Sequence, residues 1–94
     1  MADNQTMAKI QKKVISTIAE LSGKDKEELT PDTSLMHDLN LDSLALFEIV
    51  IELESYYHLR ISDEEIEALR TIKEIVDFID EQLRHKKLPG SKEA

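Results

Sequence analysis

An all-α fold, a small antiparallel bundle of three main helices plus one short helix, is predicted by three observations. Apolar residues recur at helical spacing in three separate stretches, two Ser/Thr-x-x-Glu boxes mark helix starts, and no stretch reads as a defensible strand. A chain of 94 residues suits one domain around a single core. It contains no cysteine, so neither a disulfide framework nor a thiolate metal site is possible and folding rests on packing.

From Met7 to Leu21, Ile10, Val14, Ile15, Ile18 and Leu21 follow the spacing of a helix with one buried stripe, and Gly23 supplies its stop. The next stretch, KDKEELTPDTSLMHDLN, holds Pro31, Asp32, Thr33 and Ser34, which break a long helix. Leu29, Leu35, Met36 and Leu39 are expected to tuck inward from it. So long a connection is expected to be functional or to contain a short helical turn of its own. A second helix starts at Asp42 or Ser43 and runs to about Tyr57. SDEE and TIKE fit the capping box, so Ser62 opens a short helix to about Leu69 and Thr71 opens the last one. Ile72, Ile75, Val76, Ile79 and Leu83 give that helix its apolar stripe. The domain is expected over residues 7–85, with flexible ends at 1–6 and 86–94.

Charge is unevenly distributed. Residues 1–30 carry five lysines and five acids, whereas residues 31–85 carry four basic residues against fourteen acids. Such a surface repels a phosphate backbone, which argues against nucleic-acid binding; it suits a basic protein partner or serves solubility. The first residues lack a signal-peptide pattern and no run approaches the ~18 apolar residues of a membrane span, so a soluble, cytoplasmic monomer without membrane insertion is expected.

On the second helix, at ~100° per residue, Leu46, Val50, Leu53 and Tyr57 share one side with Ile49 at its edge, enough to serve the core. Leu44, Phe47 and Ile51 are left over as a second strip beside Glu48 and Ser55. Either the strip docks a partner, or the loop from Gly23 to Leu41 covers it. Ser43 stands at the mouth of this helix. No G-x-S-x-G turn surrounds it, and no motif links it to His37, His58 or His85, so conventional nucleophilic catalysis finds no support. The acids do not adopt the calcium-loop pattern, and no zinc set is visible, so no metal is expected. A serine that opens a helix can simply be a cap, but its position also suits an attached phosphate, which helix N-termini favour.

The stretch DLNL-DSL-ALFEIVIELESYYHLRISDEEIEALRTIKEIVDFI, with Asp42-Ser43-Leu44 at its motif, resembles the acyl carrier protein family over about residues 7–83. That resemblance implies a 4'-phosphopantetheine arm on Ser43, which would supply the thiol that the chain lacks. It implies a non-catalytic carrier of acyl thioesters in fatty-acid or polyketide-like biosynthesis. Its partners would be a phosphopantetheinyl transferase and acyl-loading, condensing and acyl-transfer enzymes with basic docking surfaces. The family's recognition helix falls on Asp42 to Tyr57, with Leu44, Phe47 and Ile51 as apolar contacts and Asp42, Glu48 and Glu54 as acidic ones. Its acyl pocket would be lined by Val50, Leu53, Tyr57, Ile66, Leu69, Ile75 and Ile79, residues that read equally well as plain core. The alternatives are a carrier of aminoacyl or other specialised cargo, and an unmodified acidic adaptor that docks through the same strip.

The chain departs from the family pattern at five places. Asn40 replaces a usual Gly before the motif, although Asn tolerates the left-handed backbone better than most residues. Ala45 replaces a common acid and Ser55 interrupts the acidic run, which weakens some partner contacts. Tyr57 replaces a buried Phe and is expected to narrow an acyl pocket, since its hydroxyl needs a partner or a route to the surface. Ser62 takes the place of a frequent Pro, with the capping box preserving the helix start.

Overall fold

The computed structural model describes residues 6–87. Its helices are α1 (Met7–Ser22), α2 (Ser43–Tyr57), α3 (Asp63–Ala68) and α4 (Ile72–Lys87), with a 3-10 turn at Lys26–Glu28. Strand pairing among the described residues is limited to an isolated antiparallel bridge between Ser34 and Thr71. The three long helices and one short helix are those expected, and the short turn in the long connection is present. Of the ends expected to be flexible, 1–6 and 86–94, Thr6 instead caps α1 and α4 continues through Lys87, while residues 1–5 and 88–94 lie outside the described residues.

The ends of α1 and the start of α3 are set by local bonds. The Thr6 hydroxyl accepts the Lys9 N–H at 3.3 Å, and Gly23, with φ of 80°, donates its N–H to the Ala19 carbonyl at 2.9 Å. That left-handed stop is the conformation glycine adopts without steric cost. Both halves of the Ser62–Glu65 capping box form, at 3.2 and 3.0 Å. The second expected box differs. The Thr71 hydroxyl accepts the Glu74 N–H, but the Glu74 carboxylate reaches past Thr71 to the Arg70 N–H at 2.7 Å.

The long connection is stitched to the junction between α3 and α4. Leu35 N–H donates to the Arg70 carbonyl, Ile72 N–H to the Thr33 carbonyl and Lys73 N–H to the Pro31 carbonyl, at 2.8, 3.2 and 2.9 Å. Two of these bonds satisfy the first two N–H groups of α4, which no helical carbonyl can reach. Within the loop, the Asp38 carboxylate accepts the Ser34 N–H at 2.7 Å and the Ser34 hydroxyl accepts the His37 N–H at 3.1 Å. This turn points Leu35 and Leu39 into the core.

The core is one cluster in which α1 packs on α4 and α2, and α3 on α2. Ile10, Val14 and Ile18 of α1, the expected stripe of α2, and Ile72, Ile75, Val76 and Ile79 of α4 are buried. Two expectations fail. Leu21 sits in the last turn of α1 and is half exposed, while Met36 lies on the outer side of the capped turn and is 56% exposed. Thr17 joins the buried stripe of α1 because its hydroxyl donates to the Lys13 carbonyl at 2.8 Å, which removes the cost of burying it. No described helix is long and apolar enough to cross a membrane.

Candidate functional site: the start of α2 and the cavity beside it

The approach to the site turns at Asn40, whose φ of 59° is left-handed. The left-handed turn expected at this position is made with asparagine. Leu41 N–H donates to the Leu35 carbonyl at 3.0 Å, and Asp42 follows in extended conformation as the N-cap of α2. Its carboxylate accepts the Ala45 N–H at 2.9 Å and its carbonyl accepts the Leu46 N–H at 3.0 Å. Capping therefore falls to Asp42. Ser43 is the first helical residue, is exposed, and its hydroxyl makes no hydrogen bond with another described residue.

Ser43 stands on the lip of a cavity of about 150 Å³ between the start of α2, the long connection and α3. Leu35, Met36, Leu41, Leu46, Phe47, Ile66 and Leu69 make its walls apolar, and Asp42, Ser43, Glu67 and Arg70 supply its polar groups. None of the three histidines lines it. The site offers an unengaged hydroxyl, a helix N-terminus that favours an anion, and an apolar recess within reach.

Of the seven expected pocket residues, Ile66 and Leu69 line this cavity. Val50, Leu53, Ile75 and Ile79 are close-packed core. Tyr57 does not line it either. The Tyr57 ring is buried at the far end of α2, edge-on to Tyr56 with centroids 4.9 Å apart. Burial, and then Tyr56, push the Tyr57 phenol up to about 12. The two tyrosines instead border a shallow groove with Lys9, Lys12, Lys13 and Lys26, and Lys13 Nζ lies 4.0 Å over the Tyr56 ring. Leu35, Met36, Leu41, Leu46, Glu67 and Arg70 are the lining residues that sequence reading missed. Helical periodicity had assigned Leu46 to the core, and periodicity is silent about loops.

Along α2, Leu44 is 70% and Ile51 is 56% exposed, so the long connection does not cover them. Phe47 is half-buried against the core and also lines the cavity. Glu48 projects to solvent. Glu54 is engaged within the fold: its carboxylate accepts the Ile61 N–H at 2.6 Å and ties the exit of α2 to the approach to α3. The exit itself turns at His58, whose φ of 59° places a second non-glycine residue in the left-handed region.

A helical domain with an unengaged serine at the mouth of its second helix and an apolar recess beside it has the form of a prosthetic-group carrier. Residues 12–79 match the family model described as the phosphopantetheine attachment site. The acyl carrier protein of Syntrophobacter fumaroxidans is 40% identical over 73 residues, covering 78% of this chain and 90% of that one. The meromycolate extension acyl carrier protein of Mycobacterium leprae is 38% identical over 77 residues, covering 78% and 67%. In structure, the acyl carrier protein of Thermotoga maritima superposes with a TM-score of 0.77 at 27% identity, over 92% of this chain and all of that one. The chain belongs to the acyl carrier protein family, and the cofactor of that family is phosphopantetheine.

Proposed function

We propose that Ser43 carries the phosphopantetheine arm as a phosphodiester on its Oγ, and that the cavity beside it shelters an acyl chain held on that arm in fatty-acid or polyketide-like biosynthesis. The observation that carries this reading is the exposed, unengaged Ser43 hydroxyl on the lip of an apolar cavity. When bound, the arm supplies the thiol for the thioester. The chain's own residues perform the rest. Asp42 fixes the helix start and presents Ser43 outward, while Leu46, Ile66 and Leu69 exclude water from the recess. Leu44 and Ile51, with Glu48 beside them, form the docking strip. The role is non-catalytic and cytoplasmic. Ser43 is activated in trans by the phosphopantetheinyl transferase, and the other partners are acyl-loading, condensing and acyl-transfer enzymes with basic surfaces. The names of the mycobacterial relatives support chain extension as the setting.

Incubation with coenzyme A and a broad-specificity transferase is expected to raise the intact mass of the wild type by one arm and to leave Ser43→Ala unchanged. An unmodified wild type would favour the acidic adaptor, and a modified Ser43→Ala would move the attachment elsewhere.

A further inference from the structure

The acidic stretch from residue 31 to residue 85 contains four basic side chains, Arg60, Arg70, Lys73 and Arg84. Lys73 bonds to Asp77 at 2.8 Å and Arg84 to Asp80 at 3.1 Å, each one turn along α4. Arg60 does not line the cavity beside Ser43. Arg70 does, and its guanidinium is exposed and bonds to no other described residue. Its backbone, by contrast, is pinned on both sides: the N–H donates to Glu74 at 2.7 Å, and the carbonyl accepts the Leu35 N–H at 2.8 Å. An unspent cation is thus held on a fixed backbone at the rim of the recess whose lip carries Ser43.

We propose that Arg70 is an anion-binding positioning residue, which receives the phosphodiester formed on Ser43 and holds the root of the arm against the α3 side of the cavity. The inference rests on Ser43 as the attachment residue. Asp42 and Glu67 border the same recess. Both repel an attached phosphate, and the Asp42 carboxylate is already committed to the Ala45 N–H. A phosphodiester lies one bond from the Ser43 Oγ and carries one negative charge on two free oxygens. That geometry suits the planar fork of a guanidinium, which Lys copies only as a point charge. With Arg70 present the two carboxylates are offset and the arm starts on the cavity side; without it the arm's root is pushed toward solvent. Because the pair is exposed, its strength falls with salt.

The test uses the full chain loaded with unlabelled arm by the transferase, in wild type, Arg70→Gln and Arg70→Lys. Intact mass first establishes that each carries one arm and that Ser43→Ala carries none. No arm on the wild type defeats the attachment reading itself. On loaded protein, attachment is expected to shift the Arg70 Nε–Hε cross-peak at low salt. The ³¹P line of the wild type should differ from that of Arg70→Gln, converge with it at high salt, and be only partly restored in Arg70→Lys. Equal melting temperatures of the unloaded variants are expected, since the side chain bonds to no other described residue, and they exclude a folding defect. If the arm is attached at Ser43, yet the Arg70 cross-peak does not move and the ³¹P lines coincide at low salt, the Arg70 proposal is overturned while Ser43 stands.

Discussion

Asp42 and Ser43 are neighbours with divided duties, because the Asp42 carboxylate takes the Ala45 N–H and leaves the Ser43 hydroxyl outside the hydrogen bonding of the helix. Ser43→Ala is therefore expected to change stability by less than ~0.5 kcal/mol, as for an ordinary surface position. Asp42→Ala should cost ~1 kcal/mol, the worth of a cap. Urea unfolding of the two variants checks this, and the reverse order would return the cap to Ser43. The sequence left the helix start between these two residues, since either can cap; only backbone geometry separates them. It did carry the Asn40 turn, because few residue types tolerate φ of 59°. Tyr57 makes a further prediction. Its neutral form is favoured in the fold, with the phenol raised from 10.0 to about 12 by burial and then by Tyr56. The contribution is fully present below pH 10 and is lost as pH rises through about 12. Measured against Tyr57→Phe at each pH, wild-type stability should decline over that window; parallel curves would mean that the phenol ionises freely in the fold.

Elements were legible wherever periodicity or a cap encoded them. The stripes of α1, α2 and α4 and the Ser62 box could be read from spacing, because these follow from 3.6 residues per turn and from local N–H satisfaction. The long connection could not. Its bonds run to the α3–α4 junction, far along the chain, and its leucines and Met36 divide between core and cavity by a side-chain-capped turn. Long-range stitching of that kind leaves no period. The same limit applies to Glu54, which sequence reading placed among the docking acids although its carboxylate closes the exit of α2 at 2.6 Å. The two acids should therefore separate experimentally. Glu48→Lys is expected to slow loading by a basic transferase and flatten its salt dependence, with stability changed by less than ~0.5 kcal/mol. Glu54→Lys should cost about 2 kcal/mol, because it removes a charge-assisted bond from a part-buried N–H. Loading rates at low and high salt, with melting curves on the same samples, decide both points. An unaffected rate in Glu48→Lys would leave that acid a solubilising role.

At the scale of the whole molecule, charge and volume set what the domain can do. The lysines of α1 and Lys26 gather around Tyr56 at the far end of α2 from Ser43, while the acids dominate from residue 31 onward. On the proposed function, this division of charge would favour approach of a basic partner to the acidic part of the surface rather than to the lysine-lined groove. The cavity there, about 150 Å³, has room for about five methylene-sized groups at the ~30 Å³ that a water occupies. Short acyl chains on the arm should raise the melting temperature step by step, with an upper bound of ~0.8 kcal/mol per buried CH2, and the gain should level off once the cavity is full. Leu69→Phe, which enlarges one wall of the cavity, should make the gain level off at a shorter chain length. A melting series across chain lengths that shows no rise would mean that the chain stays in solvent. The attachment itself is tested most directly by fragment mass mapping of the loaded wild-type protein. The arm is expected on the peptide containing Ser43 and on no other serine, whereas an arm found on Ser34, Ser55 or Ser62, with Ser43 unmodified, would contradict the account.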